Sequence, residues 1–316
     1  MDSEPFFYYA YSDYLKKKYG QKVYKLPVNL PVTCPNRING QKGCDFCAEK
    51  GTGFEAMENS VSVTEQLCQT KVLIEKKYHA HKFIAYFQNY TNTFLPLSQF
   101  KKYMTEAAEC DDIVEISVST RPDCIRKDYL DVLKEIENKY KLQITIELGL
   151  QTVNYHTLTN IHRGHTLAEF VDAVLQIMEY GFEICAHVIL TLPGDTLEDT
   201  IETTKILSAF RIPVVKIHSL YIAKNTRLCE AYENGTITLC SKEEYMERLV
   251  HFLSCLHPDI AVERLFSRVP EQDAVFSNWG TSWWKLKDEL IAIMRENGIR
   301  QGCCCNYLDG AALNQL

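Results

Sequence analysis

The chain of 316 residues is 46% hydrophobic, enough to bury a sizeable core, and its formal charge of −7 excludes a general polyanion-binding protein while leaving room for a local basic patch. No run of 18 or more apolar residues occurs, which argues against a membrane-spanning helix. Thirteen cysteines, an odd number, suit a reducing compartment in which thiols stay unpaired or bind metal.

The first segment, 6–19, predicts a helix ended by Gly20. Its aromatic start precedes the basic run Lys16, Lys17 and Lys18, the reverse of a signal peptide, so a cytoplasmic protein is expected. Short apolar runs at 22–30, 82–87, 113–118, 142–148, 183–190 and 214–220 read as strands. Amphipathic stretches between them predict helices at 63–78, 128–140, 166–180 and 197–210, the first opened by Ser62 and Glu65 as a capping box. Strand and helix alternating at a spacing of about 30 residues means parallel βαβ units. The expected fold is therefore α/β, a partial (β/α)6 barrel of the TIM type, with an open doubly wound sheet fitting the same pattern.

One face of several strands is polar. Glu115, Ser117 and Ser119 share a face, as do Thr145 and Glu147, Cys185 and His187, and Lys216 and His218. A sheet covered by helices on both sides is apolar on both faces. The polar face thus argues for a wide, wet interior that holds a ligand, against the alternative of edge-exposed strands. Beyond residue 218, a helix at 241–256, an apolar run at 260–266, three tryptophans (Trp279, Trp283, Trp284) and a helix at 285–297 predict a small C-terminal extension. The expected division is an N-terminal helix at 1–21, a barrel at 22–228 and an extension at 229–316.

Cys34, Cys44 and Cys47 lie in a Gly/Pro/Asn loop directly after the first predicted strand, spaced C-x9-C-x2-C. Thiolates suit zinc and iron–sulfur clusters. Structural zinc takes four ligands, and the next cysteine, Cys68, falls inside a predicted helix. Three thiolates on a four-iron cluster leave one iron open to a small chelating molecule. The adjacent Cys303, Cys304 and Cys305 read as free thiols, because successive side chains diverge.

The cysteine loop, the run Ser119-Thr120-Arg121-Pro122-Asp123, the run Glu147-Leu148-Gly149-Leu150-Gln151, Arg163-Gly164-His165-Thr166 and Leu192-Pro193-Gly194-Asp195-Thr196 follow one another in an order that resembles the radical S-adenosylmethionine (SAM) superfamily. The long cysteine spacing is similar to that of the elongator catalytic subunit and a group of short stand-alone bacterial proteins related to it. The resemblance implies a [4Fe-4S] cluster on Cys34, Cys44 and Cys47, with SAM on the open iron. It implies cofactor-binding roles for Phe46 beside adenine, for Gln88 and Asn89 where the family's methionine-binding glycines stand, and for Ser119, Gln151, Arg163 and His187. Arg121, Asp123, Lys216 and His218 are implied as residues facing the substrate.

The same resemblance implies a radical enzyme that modifies a wobble-uridine side chain in tRNA without acetyl transfer. It implies an electron donor such as flavodoxin or ferredoxin, and no membrane. Arg121, Arg126, Lys127, Lys216 and Lys224 would line the barrel mouth as a basic rim. Two alternatives stand beside it: radical chemistry on a small metabolite or peptide, and a nucleic-acid-binding module stabilised by zinc.

Overall fold

The computed structural model describes residues 6–48 and 56–315; of the predicted N-terminal unit 1–21, residues 1–5 lie outside the described residues. In chain order the elements are α1 (Tyr11–Tyr19), β1 (Val23–Val28), α2 (Val63–Tyr78), β2 (Lys82–Phe87), α3 (Leu97–Ala108), β3 (Ile113–Thr120), α4 (Lys127–Tyr140) and β4 (Gln143–Gln151). There follow α5 (Tyr155–Asn160), α6 (Leu167–Glu179), β5 (Glu183–Ile189), α7 (Leu197–Ala209), β6 (Val214–His218), β7 (Ile222–Ala223), α8 (Arg227–Glu233), α9 (Lys242–Cys255), β8 (Ala261–Arg264), β9 (Ala274–Phe276) and α10 (Trp283–Glu296). The helix starts follow from local chemistry: Ser62 accepts from the Glu65 amide, and Thr166 and Thr196 form reciprocal caps with Glu169 and Asp199.

Seven strands pair in parallel in the order β1-β2-β3-β4-β5-β6-β8, a curled partial barrel. Six of them are the strands predicted from the sequence. The seventh comes from the run at 260–266, so the C-terminal segment completes the sheet as well as extending it. The physical reason is alternation: Val262 packs outward into the main core, while Glu263 reaches inward to Lys25 and Lys216. Outward residues such as Leu26, Phe83, Ile116, Ile146, Val188 and Ile217 are fully buried against the helices.

The inward face is layered. At the lower end α1 plugs the barrel. Leu15 packs on Val23 and Ile84, and Tyr11 and Tyr14 pack on Cys185, Val214 and Ala261. Lys18 pairs with Glu115 at 3.0 Å and Glu183 at 2.7 Å. Above this lies an ionic layer. Lys25 pairs with Glu147 and Glu263, and Lys216 pairs with Glu263 at 2.7 Å and Glu147 at 3.5 Å. His187 bonds Glu147, and the Tyr86 hydroxyl accepts from Lys216. The polar interior expected from the sequence is thus divided in two. Polar side chains fill the lower half by pairing with one another, and only the upper half is open.

Two lysines and two glutamates balance in this layer. Burial opposes ionisation of Glu263, but Lys216 and Lys25 outweigh it and hold its carboxyl down at about 2. A carboxyl depressed from its ordinary 4.5 contributes stability that is complete above that pH and lost as pH falls toward 2. Glu263→Gln should therefore destabilise the fold at neutral pH by roughly 3–5 kcal/mol, through the uncompensated lysines. It should also flatten the loss of stability between those two pH values. Urea unfolding followed by circular dichroism across that range checks both effects.

Candidate functional site

At the carboxyl ends of the strands the barrel opens into one cavity of about 1180 Å³, measured out to its mouth. Of the fourteen residues singled out from the sequence, all but Asn89 and Asp123 line it. Asn89 is buried behind the wall, donating to the Asn29 side chain at 2.8 Å. Asp123 stands outside the lining as the ion-pair partner of Arg121, at 2.7 Å.

The cysteine loop forms one end. Cys34 precedes a short 3-10 turn, Pro35–Arg37, and the Gly43 amide donates to the Asn36 carbonyl to fold the loop back. The loop is anchored from three sides. Asn36 Nδ2 donates to the carbonyls of His162 and Arg163 at 2.9 and 2.8 Å, and Arg37 donates to those of Cys47 and Ala48. Arg227 on α8 pairs with Asp45 at 3.2 Å.

Polar hydrogens point at the thiols themselves. Asn36 Nδ2 lies 3.3 Å from Cys44 Sγ, Arg163 Nη1 3.7 Å from Cys44 Sγ and Arg121 Nη1 3.8 Å from Cys34 Sγ. Burial pushes the Cys47 thiol up, and the Cys44 thiol adds to that, while Arg37 opposes both. Three thiols faced by three guanidinium groups make a donor set prepared for a negatively charged metal cluster; net charge and hydrogen bonds to sulfur tune such a centre.

Next to the cysteines, β4 ends in a bulge. Gly149 pairs with His187, but Gln151 pairs with Val188, and Gln151 takes φ 73°. Bulges of this kind re-aim side chains at sites, and here Gln151 turns into the cavity. Gly149 is the space that Arg163 uses. A Cβ there would lie 2.6 Å from Arg163 Nη2 and 2.8 Å from Gln151 Nε2. Buried Ser119 Oγ and Arg163 Nε have no hydrogen-bond partner among the described residues. Buried polar atoms without partners are costly, and these two face a cavity where a polar ligand can satisfy them.

Another wall is built by β6, β8 and the segments after them, of which Leu220 and Ile222 pack with Cys44 and Phe46 of the cysteine loop. His187 and His218 lie with ring centroids 5.5 Å apart. Burial, and then Arg264, holds His218 well below the ordinary imidazole range, so it is neutral at physiological pH. Lys216 lines the cavity from below, but its charge is already matched by Glu147 and Glu263. Of the five cations read from the sequence as a basic rim, Arg121 and Lys216 are buried in ion pairs, Arg126 and Lys127 are exposed and pair at the surface with Asp128 at 2.6 Å and Glu179 at 3.7 Å, and Lys224 is exposed.

Tyr86, Tyr90, Arg264 and Arg268 line the cavity without having been singled out. Tyr86 shares the inward face of β2 with Ile84, so the alternation that picked out Lys216 would also have found it. Arg264 lies beyond that method, because its strand is bulged. All thirteen cysteines are unpaired thiols; Cys303 and Cys304 are exposed, with sulfurs 3.8 Å apart. No helix among the described residues is long and apolar enough to cross a membrane.

The family model of the radical SAM superfamily matches residues 28–207, and that of the radical SAM C-terminal domain matches 212–296. An uncharacterised protein of Methanocaldococcus jannaschii is 34% identical over 95% of this chain and 93% of its own length. Protein YhcC of Escherichia coli K12 is 30% identical over 90% and 92%. A tRNA uridine(34) acetyltransferase of M. jannaschii is 25% identical over 60% of this chain and 34% of its own. The solved archaeal Elp3 of Methanocaldococcus infernus shares the fold with a TM-score of 0.69 at 17% identity, covering 88% of this chain and 64% of that one.

Anaerobically reconstituted protein should be brown and carry about four irons per chain. Changing Cys34, Cys44 or Cys47 to Ala should remove the iron, whereas changing Cys303, Cys304 and Cys305 together should not. Iron and zinc analysis with the visible spectrum checks this; colourless protein carrying zinc would support the zinc-stabilised module instead.

Proposed function

Because the chain belongs to the radical SAM superfamily, we propose that it holds a [4Fe-4S] cluster on Cys34, Cys44 and Cys47, seats SAM beside it, and modifies the side chain of a tRNA uridine at the wobble position. The superfamily uses this cluster and SAM. When bound, the two would supply, with one electron from an external donor, a 5′-deoxyadenosyl radical and methionine, the radical serving to remove a hydrogen atom from substrate. Everything else falls to the chain's own residues.

Arg163 offers a planar fork suited to a carboxylate, placed between Cys44 and the Gly149 carbonyl that it contacts at 3.1 Å. Gln151 and Ser119 offer polar contacts from the adjoining strands, and Phe46 offers an apolar face on the cysteine loop. Arg37 and Arg121 offset the negative charge of a thiolate-bound cluster. The ionic floor and the barrel wall would hold the reacting groups in one enclosed position and limit side reactions.

The observation that carries the tRNA reading is the match to a tRNA uridine(34) acetyltransferase across 60% of this chain. Since the match spans only 34% of that enzyme, acetyl transfer is not part of the proposal. Radical chemistry on a small metabolite or peptide is the second reading. It is favoured by one structural feature: Arg121 and Lys216, two of the five cations expected in a tRNA-binding rim, are buried in ion pairs.

Deleting the gene should change one modified nucleoside in total tRNA and leave its precursor accumulated, as read by chromatography and mass spectrometry of nucleosides. An unchanged profile under conditions of expression would move the assignment to the small-molecule reading. In the purified enzyme, Gly149→Ala should displace Arg163 and Gln151 without harming the fold. SAM binding should weaken about tenfold, the worth of a hydrogen bond to a charged group, while iron content holds. Equilibrium titration of SAM against iron content separates the two.

A further inference from the structure

We propose that Arg264 is the receptor for an anionic group of the substrate, a carboxylate or a phosphate, on the wall of the cavity that β8 builds. This rests on reading the cavity as the reaction chamber, and not on tRNA being its occupant.

The backbone puts Arg264 there. Val215 pairs with Val262, but the next residue, Lys216, pairs with Arg264, so one extra residue is taken up in β8. A bulge lets two consecutive side chains serve the same face. Glu263 enters the ionic layer, and Arg264 lines the cavity above it beside His218 and Tyr221.

The segment that follows is held rigidly. The Ser267 amide donates to Ser219 Oγ at 2.9 Å, the Ser267 hydroxyl to the Ser219 carbonyl, and Asn278 Nδ2 to the Ser267 carbonyl at 2.8 Å. Ser219 Oγ donates to Asn278 Oδ1 at 2.7 Å, and all three residues are buried. Arg268, further along the same wall, stacks over Trp283 with its guanidinium 4.1 Å from the ring centre.

Charge decides what this wall accepts. Lys25 and Lys216 are matched by Glu147 and Glu263. His187 and His218 are both held neutral, burial being the first cause for each. Arg37, Arg121 and Arg163 face thiols, and Arg121 also pairs with Asp123. Arg264 is half-buried. Among the described residues it makes no ion pair or side-chain hydrogen bond, so the β8 wall of the cavity carries a guanidinium that no described carboxylate matches. A planar fork of donors in a partly desolvated site selects an oxyanion in preference to a neutral amide or a base edge.

The test uses iron-loaded, SAM-bound protein and the variants Arg264→Ala and Arg264→Lys, titrated at low salt with inorganic phosphate, succinate and total tRNA. The wild type should bind at least one of these probes, with Arg264→Ala weaker by tenfold or more and Arg264→Lys intermediate. Iron content and SAM affinity should be unchanged. Dependence on Arg264 for phosphate or succinate identifies a small anionic substrate; dependence for tRNA alone identifies a backbone phosphate. The proposal is overturned if the wild type binds none of the three, if the variants bind them equally well, or if SAM affinity falls by the same factor, which would make Arg264 a SAM ligand. An unchanged nucleoside profile in the deletion strain, together with Arg264-dependent binding of succinate or phosphate, would defeat the tRNA reading and leave this one standing.

Discussion

The paired charges of Lys25, Glu147, Lys216 and Glu263 are the constraint on which the rest of this molecule depends. They come from β1, β4, β6 and β8, and Lys25 on β1 reaches Glu147 on β4 and Glu263 on β8, strands far from β1 in the hydrogen-bonded order of the sheet. A sheet with this inner face cannot flatten, because each lysine would lose a glutamate that only curvature brings within reach. Burying such groups costs several kcal/mol per ion unless partners compensate, and here each partner also serves a second member of the layer. The layer sets the depth of the cavity as well. Below it the barrel is plugged by tyrosines and Leu15 from α1, and above it there is room for ligands.

The cysteine loop depends on that frame through residues that are not cysteines. Asn36 donates both to the backbone at 162–163 and toward Cys44, so one amide ties the metal-binding loop to the segment that presents Arg163. Arg121 repeats the arrangement from β3, donating to the Arg163 carbonyl at 2.8 Å and toward Cys34. Gly164, at φ 78°, stands where a Cβ would lie 2.6 Å from Asn36 Oδ1 and 3.0 Å from Arg121 Nη2. The absence of a side chain there is what lets loop, β3 and the helix lead-in converge. Such outer contacts orient ligands and tune a metal centre as much as the ligands do.

How much of this was legible in the sequence follows from which rules were local. Strand alternation found Glu147, His187, Lys216 and His218, because period-two patterning survives as long as a strand is regular. The same rule could not say what each polar group would meet. Lys216 was read as facing substrate, and its charge is in fact matched by Glu263, a residue from a run assigned to the C-terminal extension. Bulges mark the limit of the method. Gln151 was recovered through resemblance, whereas Arg264 was missed because the bulge in β8 changes which face it serves. Helix α3 was also missed: it starts after Pro96 with no side-chain cap, so it lacked the signal that disclosed α2, α6 and α7.

Hydrogen-atom transfer to a carbon radical moves no net charge, so a charged group aimed at the reacting carbon would gain little in the transition state. The distribution of charge in the cavity agrees with that requirement. Guanidinium groups cluster at the thiols, where a negative cluster needs offsetting, and Arg264, without an ion pair among the described residues, stands on the β8 wall. The rest of the lining includes Gly149, Ile189, Ser119, neutral His218 and the mutually paired Lys216 and Glu147. Positioning is then the main lever the protein has over rate, and a rigid frame with fixed anchors is how a barrel applies it. Specificity follows from the same geometry. A substrate whose anionic group is anchored at Arg264 can present only those carbons that lie at the right distance from the cysteine end, so the span of the cavity selects the atom that reacts.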